Sequence, residues 1–181
     1  MLFNSWGARP DEIDAAVVGD DICANARVSA TRCITIPAPP QEVFPWIRQM
    51  GFGRAGWYSY DWLDNLGRKS AQKVHPEWQD ISTGSHVPAG PIAFIAARVD
   101  EPHSFVLSTS PKGFGKRMCF TLAYELRPDP AGTRLITRMR VRINVPGAWF
   151  IEKFLLSPGD GLMVRKQLLT LQKNISASEK S

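Results

Sequence analysis

Residues 116–145 read KRMCFTLAYELRPDPAGTRLITRMRVRINV, and apolar and polar positions alternate on both sides of a turn-forming segment. Alternation with a period of two indicates β-strands that bury one face. The segment 127–132, RPDPAG, combines two prolines with a glycine and predicts the hairpin loop. We expect antiparallel strands over 116–126 and 133–145. Their predicted inward residues are Met118, Phe120, Leu122, Tyr124, Leu126, Leu135, Thr137, Met139, Val141 and Ile143.

The opposite face of the second strand carries a row of arginines, Arg134, Arg138, Arg140 and Arg142. We predict that this row forms a solvated outer face, because the apolar residues between the arginines need the core. In the reverse register the guanidinium groups would point inward and could hold a ligand carboxylate or phosphate. The leucine, methionine and valine on the other face argue against that register.

Further strands and two helices precede this hairpin. Strands are predicted over 28–36, near 86–87, over 92–99 and over 104–109. A helix is predicted over 41–50 with Pro45 inside it, and a short one over 60–66, capped by Ser59 and ended by Gly67.

The C-terminal region is predicted to be helical, first over 147–156 and then from Ser157 onward. Within the second helix an apolar seam is expected from Val164, Leu168, Leu171 and Ile175. The element order predicts an α+β fold in which a curved antiparallel sheet wraps a long C-terminal helix. Two short helices would close one end, and bulky aromatic residues would keep a cavity open.

The 181 residues fit one domain, with an irregular lead-in at 1–27, a ligand-binding domain at 28–175 and a disordered tail at 176–181. The three separated cysteines form no metal-ligand pattern and favour a reducing cytoplasm. We find no apolar run of membrane-spanning length, and the net charge of +5 is spread without a basic cluster. We therefore expect a cytoplasmic protein without integral membrane association, nucleic-acid partner, cofactor or metal.

Aromatic residues concentrate between Gln49 and Gln79, which holds three of the six tryptophans and two of the three tyrosines. Tyr and Trp suit the wall of a half-wet cavity because each combines an apolar body with a polar edge. The alternative is a packed loop that closes the core. The candidate acid–base groups of this stretch are Tyr58, Tyr60 and His75. Asp61 and Asp64 form a possible carboxylate pair, for which solvation and capping are the favoured interpretation.

Several short motifs resemble the SRPBCC proteins of the START-like, pollen-allergen-like helix-grip superfamily. They are 31–40 (TRCITIPAPP), 43–47 (VFPWI), 49–51 (QMG), 56–63 (GWYSYDWL), 76–79 (PEWQ) and 132–135 (GTRL). The set is typical of a bacterial subgroup labelled polyketide cyclase or dehydratase-like. One departure is Ser85, where an aspartate is expected. The resemblance implies the helix-grip fold already predicted from the element order.

The resemblance also implies a function: binding of a small hydrophobic molecule, of lipid, polyketide or aromatic type, between the sheet and the C-terminal helix. Two alternatives remain, a cyclase or dehydratase-type enzyme that uses the Tyr and His groups, and a protein-interaction module without a ligand. The candidate ligand-binding residues are Arg54, Trp57, Tyr58, Tyr60, Trp62, Trp78, Phe120, Leu122, Val164 and Leu168.

Overall fold

Six antiparallel strands form a single sheet in the computed structural model, which describes residues 4–90, 92–109, 117–146, 148 and 157–178. The strands are β1 (Val28–Ile36), β2 (His86–Ala89), β3 (Ile92–Asp100), β4 (Ser104–Thr109), β5 (Met118–Asp129) and β6 (Gly132–Ile143). Their order across the sheet is β1-β6-β5-β4-β3-β2. The predicted α+β class and the predicted strands are confirmed.

The longest pairing joins β5 to β6, and its register runs from Met118 opposite Ile143 to Asp129 opposite Gly132. The prediction of a six-residue loop over 127–132 was therefore wrong. The ladder continues to the turn because backbone pairing does not depend on the side-chain alternation that ends near residue 126.

One long helix, Ser157–Ser178, packs on the inner face of this sheet. Its predicted seam is buried, since Val164, Leu168, Leu171 and Ile175 all belong to the main core. The helix continues to Ser178, three residues into the segment that was expected to fray. The helix predicted over 147–156 and the end of the predicted tail, 179–181, lie outside the described residues, apart from the helical residue 148.

In the described ranges three shorter α-helices precede the long one: α1 (Pro10–Asp14), α2 (Pro40–Arg48) and α3 (Asp61–Asp64), so that the long C-terminal helix is α4. A 3-10 helix spans Pro76–Trp78. Helix α2 keeps Pro45 inside it and buries Val43 and Ile47 in the core. The predicted cap of α3 was wrong. The Ser59 hydroxyl donates instead to the Met163 carbonyl oxygen at 3.1 Å, because tertiary contact with α4 offers an acceptor.

The N-terminal segment 8–27 lies over the outer face of the sheet, whereas residues 4–6 run along the edge strand β1 and place Trp6 against the main core. Beneath segment 8–27 is a second apolar cluster, made of Val17, Cys33, Val106, Ala123 and Ile136. The sheet is therefore covered on both faces in its central part, by the α4 side and by the N-terminal segment.

The arginine row faces this N-terminal segment, and the prediction of a solvated face was wrong for Arg134, Arg138 and Arg140. Arg138 donates to the carbonyl oxygens of residues 12, 13 and 15, to Asp20 and to Thr31. Arg134 holds both carboxylate oxygens of Glu12, each at 2.7 Å. The guanidinium groups are buried because the segment above them supplies acceptors for their donors.

Candidate ligand-binding site

A cavity of about 440 Å³ lies between the inner face of the sheet, the N-terminal part of α4 and the region around α3. Its wall takes residues from the loop before α3, from α3 and the turn after it, from the β2–β3 hairpin, from β5 and from α4. These residues are Phe52, Trp57, Ser59, Leu63, Asp64, Leu66, Ala89, Gly90, Phe94, Leu122, Met163, Val164 and Gln167. The wall is predominantly apolar, as in pockets that desolvate hydrophobic ligands.

Aromatic contacts position one side of the wall. The rings of Trp57 and Phe94 meet edge to face, with centroids 6.0 Å apart and planes at 88°. Behind Phe94, the ring of Phe120 stacks on it at 5.3 Å with an interplanar angle of 15°. Both arrangements are favourable for aromatic pairs, so the Phe94 ring is held from two directions.

Gln167 is a polar wall residue whose amide is fully engaged. Its Nε2 donates to the Trp57 carbonyl oxygen at 2.8 Å, and its Oε1 accepts from the Tyr124 hydroxyl at 2.9 Å. These bonds tie the loop that carries Trp57 to helix α4 and to strand β5. Gln167 therefore has a structural role that leaves its amide little capacity for a ligand.

The two carboxyl groups of α3 have different surroundings. Asp61 accepts hydrogen bonds from the backbone amide and the hydroxyl of Ser70, at 3.1 and 2.6 Å. Both carboxylate oxygens of Asp64 are shielded from solvent, and neither accepts a hydrogen bond of good geometry within the described part of the chain. The nearby Ser59 hydroxyl is the weakest influence on the pKa of this carboxyl group, because it donates to the Met163 carbonyl oxygen. Burial, helped by the negative charge of Asp61, raises the pKa of Asp64 to about 6.

The predicted ligand-binding residues occupy different places in the structure. Trp57, Leu122 and Val164 lie in the cavity wall. Phe120 and Leu168 pack behind the wall, Phe120 against Phe94 and Leu168 fully buried in the core.

Four other predicted residues lie away from the wall. Tyr60 and Trp62 are exposed, with 37% and 72% of their surface accessible. Arg54 donates to the Trp78 carbonyl oxygen at 2.5 Å and pairs with Asp80 at 3.3 Å. These contacts join the loop before α3 to the segment around residue 78.

Tyr58 and His75, two of the candidate acid–base groups, are linked by Gln49 instead of meeting in the cavity. The Gln49 amide donates to the Tyr58 hydroxyl at 2.5 Å and accepts from the His75 backbone amide at 2.9 Å. The Tyr58 side chain is fully buried, and burial raises the pKa of its phenol. The His75 ring stacks on Trp78 with centroids 4.3 Å apart. Neither residue, nor the third candidate Tyr60, forms part of the wall.

Sequence reasoning missed several wall residues, among them Phe94, Asp64 and Gln167. Alternation in the predicted strand 92–99 could have placed Phe94 on the face of the apolar Ala96, which is fully buried. The polar residues gave no comparable signal, because a carboxylate or an amide on a helix is normally exposed. Only the position of α3 against α4 makes Asp64 part of a cavity.

Neither a metal centre nor a membrane span is found in the described ranges. Among those residues, no three His, Cys, Asp or Glu side chains converge in a way that could hold a metal ion. Within the same part of the chain, no helix combines the length and the apolar character needed to cross a membrane.

Comparisons with known proteins identify the fold. No protein-family model matches the chain, and no curated protein does. Among solved structures, a protein of unknown function from Staphylococcus aureus, SA2116, matches with a TM-score of 0.54 and 12% identity over 85% of this chain and 96% of its own. The KanY protein matches with a TM-score of 0.54 and 14% identity over 82% and 97%. Protein MLL2253 from Mesorhizobium loti has a TM-score of 0.51 and 11% identity over 83% and 98%.

At such low identity these matches concern the fold alone. The neighbours are covered almost completely, so the similarity extends over nearly the whole of each neighbouring chain. These structural matches, together with the observed strand order and the helix packed on the inner face, identify the architecture. The chain has the helix-grip fold, as its resemblance to the SRPBCC superfamily implied.

Proposed function

We propose that this protein binds a small hydrophobic molecule, of lipid, polyketide or aromatic type, in the cavity between the sheet and α4. The observation that carries the proposal is the cavity itself, about 440 Å³ and walled mainly by apolar and aromatic side chains. Ligand pockets in proteins commonly measure roughly 300–1,000 Å³ and have this composition. Trp57, Phe94, Leu122 and Val164 would desolvate the ligand.

The rim of the cavity supports the same proposal. Leu63 and Leu66 belong to the wall, and 53% and 77% of their surface is accessible, as is 72% of the neighbouring Trp62. Exposed apolar side chains beside a cavity favour entry of an apolar molecule at this end. In this proposal Tyr60 and Trp62 contribute to the entrance.

The placement of the acid–base candidates favours binding over catalysis. A cyclase or dehydratase-type reaction would need proton-transfer groups within hydrogen-bond reach of the substrate. Tyr58 is buried with its hydroxyl bonded to Gln49, and His75 is stacked on Trp78. An open apolar cavity likewise favours a ligand-binding protein over an interaction module that uses its surface alone. A cytoplasmic location is part of the proposal and is supported by three free thiols, Cys23, Cys33 and Cys119.

The proposal is tested by ligand capture and by blocking the cavity. Native mass spectrometry of the protein purified from its own host should show a co-purified small apolar molecule. Displacement of a fluorescent apolar dye then compares the wild type with Ala89→Phe, which adds a phenyl ring at the cavity wall. The matched control is Ala93→Phe, at an exposed position of the adjacent strand.

We expect Ala89→Phe to weaken dye binding about tenfold or more, corresponding to ~1.4 kcal/mol, and Ala93→Phe to leave it nearly unchanged. Circular dichroism establishes that both variants are folded. An absence of any bound molecule together with equal dye binding by all three proteins would refute the proposal.

A further inference from the structure

Asp64 is the one ionisable residue that the described part of the chain contributes to the cavity wall. We propose that the cavity selects hydrophobic molecules that carry a protonated amine, and that Asp64 binds the ammonium group. This inference rests on the proposed binding function and specifies the chemical class of its ligand.

Both Asp64 oxygens are shielded from water, and within the described ranges neither accepts a hydrogen bond of good geometry. The nearby Ser59 hydroxyl donates to the Met163 carbonyl oxygen instead. A buried acceptor without a donor is unfavourable, and a charged one more so. Asp61, three residues earlier, shows that the same segment can satisfy a carboxylate, since Ser70 donates to it twice. The Asp64 carboxylate is thus left for a donor that comes from outside the described chain.

Among the wall residues that belong to the described ranges, Asp64 alone has an ionisable side chain, and Asp61 adds a further negative charge close by. Arg54, the cation in the loop before α3, is engaged by the Trp78 carbonyl oxygen and by Asp80. A ligand carboxylate would meet repulsion at this wall, whereas an ammonium group would neutralise Asp64 and donate hydrogen bonds to it.

Asp64 can act as an anion near neutral pH. Its pKa is raised to about 6 by burial and by the charge of Asp61. A carboxyl group with this pKa is largely ionised at neutral pH, and an approaching ammonium group would favour the ionised form further.

Asp64 is the last residue of the four-residue helix α3, and the residue as a whole is only half-buried. Its neighbours Leu63 and Leu66 are exposed wall residues. Ligand binding in this proposal includes a rotation of the Asp64 side chain that brings the carboxylate, shielded in the free protein, to the cavity.

The test uses three probes that share one apolar chain and differ in the head group: decylamine, decanol and decanoate. Each probe competes with a fluorescent apolar dye for the full-length protein near neutral pH, below the concentration at which the probe self-associates. The variants are Asp64→Asn and, as a second replacement, Asp64→Ser. The matched control, Asp14→Asn, makes the same change at an exposed position of α1.

We expect the wild type and Asp14→Asn to bind decylamine about tenfold more tightly than decanol, and decanoate most weakly of the three. Both Asp64 variants should lose the preference for the amine while decanol binding changes less than about twofold. Circular dichroism checks that each variant is folded.

The outcomes separate the two proposals. Equal binding of the three probes by the wild type, or an amine preference that survives both Asp64 replacements, overturns the inference and leaves hydrophobic-ligand binding standing. A preference for decanol over decylamine also overturns it, since it would identify the carboxyl as a partner for neutral groups. Failure of all three probes to displace the dye overturns both proposals.

Discussion

Glu12 and Asp64 are both carboxylates shielded from water, on opposite sides of the same sheet. They differ in their hydrogen-bond donors and in the direction in which their pKa is shifted. Glu12 accepts from the Arg134 guanidinium at 2.7 Å through each oxygen and from the Arg9 backbone amide at 2.7 Å. The hydrogen bonds from Arg134 lead the effects that lower the pKa of Glu12 to about 2. Asp64 has no such partner in the described ranges, and its pKa is raised to about 6.

The difference separates a structural carboxylate from a candidate binding group. On the outer face, every arginine of the row that was described above finds acceptors, most of them in the N-terminal segment. On the inner face, the described part of the cavity wall is mainly apolar and leaves the Asp64 carboxylate without a donor of good geometry. Buried polar groups nearly always have hydrogen-bond partners in folded proteins. An unpartnered carboxyl group at a cavity is therefore a candidate for ligand binding.

The largest effect on stability is expected from removing the Arg138 guanidinium at the centre of the outer face. Arg138→Ala leaves the carbonyl oxygens of residues 12, 13 and 15 without this donor and removes the closest cation from the Asp20 carboxylate, which keeps the Val17 backbone amide. We expect the free energy of unfolding to fall by about 3 kcal/mol, measured by urea denaturation.

The control for this variant is Arg142→Ala, on the same face of β6, where the guanidinium bonds to the nearby Asn144 side chain. Its expected cost is below about 1 kcal/mol, because such exposed contacts contribute little. Equal losses from the two substitutions would show that the N-terminal segment does not depend on buried arginine contacts.

The next largest effect is the pH dependence of stability to which Glu12 contributes. The folded-state pKa of Glu12, about 2, lies below its ordinary value of 4.5. This carboxylate therefore stabilises the fold above pH 4.5, and the contribution is lost as the pH falls from 4.5 towards 2. Allowing for solvent screening, we expect about 2 kcal/mol.

The measurement is urea denaturation as a function of pH for the wild type and Glu12→Gln. Glu12→Gln should be less stable at neutral pH and should lose less stability in that acidic interval. Asp14→Asn, at an exposed position of the same helix, serves as the control and should follow the wild-type curve. A Glu12→Gln curve parallel to that of the wild type would contradict the strong pairing with Arg134.

Asp64 should make the free energy of unfolding depend on pH in the opposite direction from Glu12, and by a smaller amount. Its folded-state pKa of about 6 lies above the ordinary value of 3.8, so ionisation of Asp64 costs stability. The cost is absent below pH 3.8, grows as the pH rises to about 6 and is complete above it. We expect Asp64→Asn to raise the free energy of unfolding at neutral pH by about 1 kcal/mol, after allowance for screening.

Thermal and urea denaturation at acidic and neutral pH check this gain. The gain should disappear at the acidic end, where Asp64 is protonated in both states. A loss of stability at neutral pH would mean that Asp64 is satisfied within the free protein, and the contrast with Glu12 would not hold.

The smallest effect on stability is expected at the rim of the cavity. Trp62 is 72% exposed, and Trp62→Ala should change the free energy of unfolding by less than about 0.5 kcal/mol. If the ring contributes to the entrance, dye binding should weaken while stability stays the same. Trp57→Ala is the comparison at the inner wall, and it should lower both stability and binding because Trp57 packs against Phe94.

Much of the fold could be predicted from local pattern. The strand 28–36, the β4 strand and the buried seam of α4 follow from periods of two and 3.6 residues, which depend only on backbone geometry. The candidate site could be predicted only in outline. Trp57 and Trp62 occur in the same aromatic run, yet one lies in the wall and the other is exposed.

The sequence by itself determined the strands, the helices and the inner face of the sheet, because apolar periodicity decides which side of each element leaves water. Tertiary structure alone decided which polar groups are satisfied. Asp61 has its donor because Ser70 folds back onto it, and Arg138 is buried because residues 12–20 cover it. Asp64 lies at a cavity because α3 packs beside α4. Such pairings join residues far apart in the chain, and no local pattern specifies them.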